Sequence, residues 1–311
     1  MKYKIGIIGA GTIIQEYLRV LMDIKNLEIV GIHSRTNIKA KKLKKKFNIK
    51  QIFPSVAEMY KAERPHGVII GTSIESTKKI LKQCIDFNWK ILVEKPVGYN
   101  LQEFYEIRKF AKKKENNIFV AMNRNHYEST LALKKKIKNN NLKKIIFVQD
   151  QENNLFQNNE YHKKVVKNWM YANSIHVIDY FRIFGRGKIT NVKTKSIKIS
   201  KNQKIVNSEI KFSSGDLGIY KCFWNLNAPW AVSILYKDQR FELKPLENLN
   251  YYFGNTKKKI FEYEKIKSSY KPGFKLQVEN FLKKISGSKK KLLPNLEDSK
   301  FTMKLINQIY K

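Results

Sequence analysis

Two short segments of the chain carry side chains that could move a proton, and the first is Glu94-Lys95-Pro96. The apolar residues before it predict a buried strand, and open α/β sheets bind ligands at the carboxyl ends of their strands. A lysine there can give a proton to a substrate oxygen or take one from it when its surroundings lower its pKa toward neutrality. Pro96 restricts Lys95 to an extended conformation. The structural alternative is an ordinary surface lysine after a strand.

The second segment is Asn173-Ser174-Ile175-His176, followed by Asp179. On a helix, His176 and Asp179 are three residues apart and share a face. The imidazole could hydrogen-bond a reacting hydroxyl group while the carboxylate orients the ring. The alternative is a buried histidine that the neighbouring aspartate satisfies.

The element that could hold a cofactor is the turn Gly9-Ala10-Gly11, which follows an apolar strand and precedes a helix. Gly9 permits a tight turn, and Gly11 lets the backbone approach a dinucleotide pyrophosphate at the helix N-terminus, beside Thr12 and Ile13. The third glycine position of this fingerprint is Ile14, so an ordinary strand-to-helix turn is the alternative.

The end of the second predicted strand indicates which dinucleotide is preferred. Enzymes that choose NAD usually place an acidic residue here, on the ribose 2′-hydroxyl. This chain instead has Ser34 and Arg35, a hydroxyl and a guanidinium group that suit a 2′-phosphate. The sequence therefore favours NADP, with NAD still possible and a solvated loop arginine as the structural alternative.

The order of the elements predicts two domains. Strands and helices alternate over residues 1–123, with apolar strands at 67–71, 90–94 and 118–122, which is typical of a doubly wound α/β domain with a parallel sheet. From 124 to 311, the pattern predicts a helix at 128–138, a strand at 144–149, an entry turn and one helix over 168–184, and short strands with turn signals over 188–245. Two helices, at 274–285 and 296–310, close the chain, and Asn295 is the predicted N-cap of the second. We expect an α+β domain with a large, mainly antiparallel open sheet, whose last helix packs back on the first domain.

Composition narrows the classes of function. The 311 residues carry a formal charge of +36, but only 8 of the 62 basic residues are arginine, and the lysine clusters fall on predicted helix surfaces or in loops. We therefore expect no specific nucleic-acid partner. Nucleic-acid binding is the weakest of the alternative functions. No apolar run reaches the roughly 18–20 residues of a membrane helix. The two cysteines predict a reduced, cytoplasmic protein rather than a disulfide framework, and no metal site is indicated.

Together these features resemble the Gfo/Idh/MocA family of oxidoreductases, which includes glucose–fructose oxidoreductase and inositol dehydrogenase. The resemblance covers nearly the whole chain, through the glycine turn, the 67–71 strand, the Glu-Lys-Pro segment, Asn123-Arg124 and the His-x-x-Asp pair. It implies an N-terminal Rossmann domain and hydride transfer between C4 of nicotinamide and a carbon of a sugar, cyclitol or nucleotide sugar. It also implies a homo-oligomer, a dimer or tetramer formed through the open sheet.

The same resemblance implies roles for individual residues. Lys95 would be the acid/base residue and contact the nicotinamide ribose, and His176 would be its partner at the substrate hydroxyl. The cofactor site would be completed by Thr72, Ser73, Glu94 and Pro96. The candidate substrate-binding residues are Lys95, Asn123, Arg124, Trp169, Asn173, His176 and Asp179. For Asn123 and Arg124 a plain loop is the alternative, and for Trp169 it is core packing.

The chain departs from the family pattern near the histidine. Relatives commonly carry Asp four residues before it and Gly two residues before it, where this chain has Ala172 and Ser174. Asn173 could supply part of the missing substrate contact but cannot act as a base. A catalytically reduced protein that binds a dinucleotide or a sugar ligand on the same fold is therefore the alternative function.

Overall fold

The computed structural model describes residues 2–154, 160–254, 256–258 and 270–311. Contacts within the chain divide it into two units. The first contains Met1–Asn123 and Ser268–Ser299, and the second contains Arg124–Lys267 and Lys300–Lys311.

The first unit is built on a five-stranded parallel sheet. Its strands are β1 (Tyr3–Ile8), β2 (Leu27–His33), β3 (Gly67–Ile70), β4 (Lys90–Glu94) and β5 (Ile118–Ala121), in the order β2-β1-β3-β4-β5. All residues of β3 and β5 are buried, as expected for parallel strands with both faces covered. The predicted doubly wound α/β fold is confirmed for this unit.

Helices connect these strands in the first unit. They are α1 (Thr12–Met22), α2 (Asn37–Lys46), α3 (Val56–Glu63), α4 (Thr77–Cys84) and α5 (Leu101–Ala111). The later helix α10 (Phe274–Ile285) belongs to the same unit and packs against α1. The rings of Tyr17 and Phe274 lie 5.0 Å apart at this contact. The contacts thus group part of the predicted second segment with the first.

The second unit contains an eight-stranded, mainly antiparallel sheet, as the sequence predicts. Its strands are β6 (Ile145–Glu152), β7 (Ile189–Lys198), β8 (Lys204–Phe212), β9 (Leu217–Trp224), β10 (Ala231–Leu235), β11 (Gln239–Leu243), β12 (Leu249–Phe253) and β13 (Thr256–Lys258). The order is β13-β12-β11-β10-β6-β9-β8-β7, and β6 pairs with β9 in parallel. Every second residue of β6 is buried, so one face of this strand lies in the core.

Among the described residues, the α-helices of the second unit that precede β7 in the chain share one region of sequence. They are α6 (Glu128–Ile137), α7 (Lys163–Lys167), α8 (Trp169–Ala172) and α9 (Ile175–Phe184). Helix α9 packs on β6. The last helix is α11 (Leu296–Ile309). It begins with the predicted cap, in which the Asn295 side chain accepts from the Asp298 amide at 3.0 Å and Asp298 accepts from the Asn295 amide at 3.1 Å.

Several element boundaries differ from those predicted. Strand β6 continues to Glu152 rather than ending at 149, and the predicted single helix after 168 is broken into α8 and α9 at Asn173-Ser174. Strands β12 and β13 follow the last predicted strand. Both cysteines are free and buried. Among the described residues, no helix combines the length and apolar character needed to cross a membrane.

Candidate functional site

The glycine turn of the first unit leaves open space at the start of α1. Gly9 has φ 110°, and a Cβ there would lie 2.2 Å from the Gly71 carbonyl oxygen, so a side chain would clash. Gly11 is the residue before α1, and a Cβ there would meet nothing within 4 Å. The first turn of α1, which begins with Thr12 and Ile13, contains no acidic side chain. An anion is favoured at such a helix end.

The ends of β2 and β3 bring the predicted ribose-phosphate residues together. Arg35 donates from Nη2 to Ser73 Oγ at 3.2 Å, and the Ser34 hydroxyl accepts from the Thr36 amide at 3.2 Å. The Thr72 hydroxyl oxygen is buried and has no hydrogen-bond partner among the described residues. Together with the space at Gly11, these groups fit a dinucleotide.

A three-residue network surrounds Glu94 at the end of β4. Tyr17 on α1 donates its hydroxyl to Glu94 Oε1 at 2.5 Å, and Gln277 on α10 donates to the Tyr17 oxygen at 2.8 Å. Burial, followed by the charge of Glu94, raises the pKa of Tyr17 well above its usual value, so the phenol stays a donor. The Lys95 amide donates to Glu94 Oε2 at 3.3 Å. The network fixes the backbone at Lys95.

The other predicted residues near this corner also lie in the first unit. Lys95 is half-buried, Pro96 is buried, and the peptide bond between them is cis. Asn123, just after β5, donates from Nδ2 to the Pro272 carbonyl at 3.3 Å. The predicted cofactor residues thus follow the carboxyl ends of β1, β2, β3 and β4, the edge where open sheets bind ligands.

The second unit contains a cavity of about 250 Å³ among the other predicted residues. It is lined by Gln151, Asn153, Trp169, Asn173 and Trp230. The His176 ring centroid lies 6.1 Å from that of Trp230. Two indoles and three amides suit a polar ring that carries hydroxyl groups, since indoles pack on its apolar face and amides donate and accept.

A second cavity, of about 440 Å³, shares Trp230 with the first. The Arg124 guanidinium lies 4.7 Å from the centroid of the Trp230 ring, and Lys244 and Glu247 also line this cavity. Burial lowers the pKa of Arg124. Trp230 thus lines both the cavity that contains Arg124 and the cavity that contains the predicted Trp169 and Asn173.

The contacts of Asp179 indicate a structural role. Asp179 is 2% exposed. Its carboxylate accepts from Arg182, from Asn125 at 2.7 Å and from Thr302 at 2.6 Å. Although burial raises the pKa of Asp179, the Arg182 charge and these hydrogen bonds outweigh burial and lower it. The carboxylate is therefore ionised and bound to protein groups, and its predicted contact with substrate stays a prediction.

Sequence reasoning missed two buried acids on β6, Asp150 and Glu152, which are both 0% exposed. Glu152 accepts from the Ser174 hydroxyl at 2.7 Å and from the Asn173 amide at 2.9 Å. Asp150 accepts from the Tyr220 hydroxyl at 2.6 Å. The signal was available, because both acids continue the buried alternation of Ile146 and Val148.

Comparison with known proteins finds a family that is similar to the N-terminal segment of the chain. Residues 3–122 match the Gfo/Idh/MocA oxidoreductase family with its NAD-binding Rossmann fold. This segment is less than half of the chain. The match supports the resemblance drawn from the sequence motifs and the dinucleotide-binding fold of the first unit.

Individual relatives align with different shares of the chain. Glucose-6-phosphate 3-dehydrogenase of Bacillus subtilis is 30% identical over 146 residues, which are 47% of this chain and 41% of that enzyme. The aligned segment thus spans less than half of this curated relative. A dehydrogenase from Chromobacterium violaceum has the same fold over 99% of this chain and 94% of its own, with a TM-score of 0.83 and 16% identity. UDP-N-acetylglucosamine 3-dehydrogenase from Acidithiobacillus ferrooxidans gives a TM-score of 0.79 at 13% identity, covering 99% and 97%.

Proposed function

We propose that the protein is an NAD(P)-dependent oxidoreductase. It interconverts a secondary alcohol and a ketone on a sugar, a cyclitol or a nucleotide-sugar derivative. The observation that carries this proposal is the family match over residues 3–122, combined with the open, acid-free N-terminus of α1 behind Gly11. A bound nicotinamide would accept or supply the hydride, while the protein aligns the groups and handles the proton.

The first unit would hold the cofactor. The backbone at Gly11 and the first turn of α1 suit the pyrophosphate. Arg35 and Ser73, which are hydrogen-bonded to each other, suit a 2′-phosphate, and the absence of an acid after β2 supports NADP over NAD. The Thr72 hydroxyl has a hydrogen bond to offer to a ligand.

The proton would be handled by two residues. Lys95 gives a proton to the substrate oxygen during reduction and takes it back during oxidation, and His176 hydrogen-bonds the same oxygen. The backbone of Lys95 is held by Glu94, whose carboxylate is fixed by Tyr17. His176 lies in the first turn of α9, near Trp230.

The substrate would be a carbohydrate bound in the cavity of the second unit. Trp169, Trp230 and Asn173 line this cavity and could pack on and hydrogen-bond a sugar ring. The name of the Bacillus relative states that it oxidises a sugar phosphate at its third carbon, which supports a substrate of this class. Asn123 and Arg124 are further candidates for substrate contact.

The alternative function is a dinucleotide-binding or sugar-binding protein with little catalysis. Ala172 favours it, because the carboxylate common at that position in relatives is missing. This alternative keeps ligand binding and loses turnover, so kinetics and binding must be measured on the same preparation.

We propose two further properties, both expected from the family. The protein would form a homo-oligomer through the open face of the second sheet, where most residues of β7 are exposed. It would act in the cytoplasm and bind no specific nucleic acid, with its lysines drawing in anionic ligands.

A turnover panel tests the proposed function. Glucose 6-phosphate, UDP-N-acetylglucosamine and myo-inositol are each mixed with NAD or NADP, and reduced nicotinamide is followed by its absorbance. We expect turnover with at least one sugar and faster turnover with NADP. Binding of cofactor and sugar by calorimetry with no turnover would instead select the alternative.

A further inference from the structure

Glu152 is the last residue of β6 and is buried beneath the start of α9. Both of its carboxyl oxygens are used: Oε1 accepts from Ser174 Oγ at 2.7 Å, and Oε2 accepts from Asn173 Nδ2 at 2.9 Å. These two partners are consecutive residues, 21 and 22 positions further along the chain. The Glu152 side chain thus hydrogen-bonds both residues of the link between α8 and α9.

This link determines where α9 begins. Ser174 is the residue before the helix, and its carbonyl oxygen accepts from the amides of Val177 and Ile178. The Asn173 carbonyl oxygen accepts from the His176 amide at 3.1 Å. The side chains that Glu152 holds therefore belong to the residues whose backbones anchor the turn that contains His176.

Asn173 also lines a cavity. It lines the cavity between Trp169 and Trp230 while its amide nitrogen donates to Glu152. Because an amide is planar, fixing its nitrogen on Glu152 also fixes the direction of its oxygen. Glu152 therefore limits how Asn173 can present its oxygen to a ligand.

Burial disfavours the charged form of Glu152. It raises the pKa of Glu152 well above its usual value, and the charge of Asp150 raises it further, while the hydrogen bonds from Asn173 and Ser174 offset only part of this. Among the described residues, no basic side chain forms an ion pair with Glu152. A serine hydroxyl donates or accepts, so Ser174 can pair with the protonated acid as well.

We propose that Glu152 is a positioning residue, which through Asn173 and Ser174 fixes the first turn of α9 and so orients His176 and the Asn173 amide. The inference rests on the proposed function for its catalytic meaning. The geometric part concerns only contacts inside the second unit. It extends the site to a residue that touches neither substrate nor cofactor.

Two substitutions separate hydrogen bonding from charge. Glu152→Met keeps the length of the side chain and removes both acceptors. Glu152→Gln keeps an acceptor for Asn173 and can donate to the Ser174 hydroxyl, and it mimics the neutral acid. Ser208→Ala is the control, because Ser208 is a buried serine of the same sheet that hydrogen-bonds Thr194.

The first measurement needs no substrate. Side-chain spectra of ¹⁵N-histidine report the ring environment of each of the 5 histidines, and His176→Gln assigns the His176 signals. We expect Glu152→Met to shift the His176 signals beyond the scatter of replicates, Glu152→Gln to restore them toward wild type, and Ser208→Ala to leave them unchanged. His33 and His66 of the first unit are internal controls for folding.

If Glu152→Met does not fold, Ser174→Ala decides in its place, since it removes only the bond to Oε1. Unshifted His176 signals in a folded Glu152→Met or Ser174→Ala protein would overturn the inference, and so would equal shifts in Glu152→Gln and Glu152→Met. Failure of the turnover panel leaves this spectroscopic result standing, so the two proposals fail separately.

The second measurement uses the panel sugar with the highest turnover. We expect Glu152→Met to lower kcat/KM about tenfold and Asn173→Ala to lower it similarly, with the double variant little worse than either, because both remove one arrangement. If the loss of kcat/KM in the double variant equals the product of the two single losses, Glu152 does not act through Asn173.

Discussion

The Tyr17 hydroxyl on α1 lies 2.5 Å from Glu94 Oε1 at the end of β4. This hydrogen bond joins the helix that begins at the glycine turn to the corner that contains Lys95. Gln277 on α10 completes the network from the other side of Tyr17. The groups proposed to bind the pyrophosphate and to move the proton are thus coupled within the first unit by one buried phenol.

Tyr17→Phe should destabilise the first unit. The ring and its packing on Phe274 are kept, while a buried hydrogen bond to a carboxylate is lost, which costs about 1–3 kcal/mol. Urea denaturation followed by circular dichroism measures the change. Tyr3→Phe is the matched control, since the Tyr3 hydroxyl bonds Ser286 at an exposed site. Equal stability of Tyr17→Phe and wild type would show that the bond contributes nothing.

Lys95→Ala should separate catalysis from binding. Loss of an acid/base group lowers kcat by about a hundredfold, while the affinity for NADP measured by calorimetry should stay within a fewfold. Lys82→Ala on the exposed face of α4 removes the same charge far from the sheet edge. Turnover close to wild type in Lys95→Ala would exclude the proposed role.

Arg35→Ala should change the preference between cofactors. The guanidinium can pair with a 2′-phosphate but has no matching group on NAD, so NADP should lose about tenfold in affinity, or about 1.4 kcal/mol, while NAD changes little. Lys39→Ala on α2 controls for the loss of one nearby positive charge. Equal losses for both dinucleotides would remove the argument for NADP.

Asp216 should make the second unit sensitive to acid. Although burial opposes ionisation, hydrogen bonds and charge from Arg186 and Lys144 lower the pKa of Asp216 to about 2. A carboxylate whose folded-state pKa is depressed stabilises the fold above its unfolded pKa of about 3.9, here by about 2 kcal/mol. This stability is lost as the pH falls from about 4 to about 2.

Thermal unfolding across this range checks the effect of Asp216. Asp216→Asn should unfold at a lower temperature than wild type at pH 6, and the difference should shrink as the pH approaches 2. Glu209→Gln is the control, because Glu209 pairs with Lys211 at an exposed site. A difference that is constant with pH would rule out the ion pairs as its source.

The sequence predicts the first unit well because its signals are local. Apolar runs mark β3, β4 and β5, and the glycine turn marks the start of α1, so the sheet edge could be predicted with its residues. The second unit depends on distant partners. Glu152 resembles a loop residue until Ser174 and Asn173 satisfy its oxygens, and this is why β6 was predicted too short and the break before α9 was missed.

The site itself could be predicted only in part. Gly9, Gly11 and Arg35 are recognisable by type and spacing, whereas Ser73 was implied by the family resemblance. The structure shows the space at Gly11 and the hydrogen bond between Arg35 and Ser73. The position of Trp230 could not be predicted, because nothing local shows that one indole lines two cavities. The ion pair of Asp179 with Arg182 was likewise obscured by its spacing from His176.

Isotope transfer tests the central proposal most directly. NADPH deuterated at the transferred position of C4 is incubated with the ketone form of the sugar selected by the turnover panel, and the product is analysed by mass spectrometry. The proposal predicts one deuterium on the new alcohol carbon with the wild-type protein and almost none with Lys95→Ala under the same conditions. A product without deuterium, or equal labelling by both proteins, would contradict it.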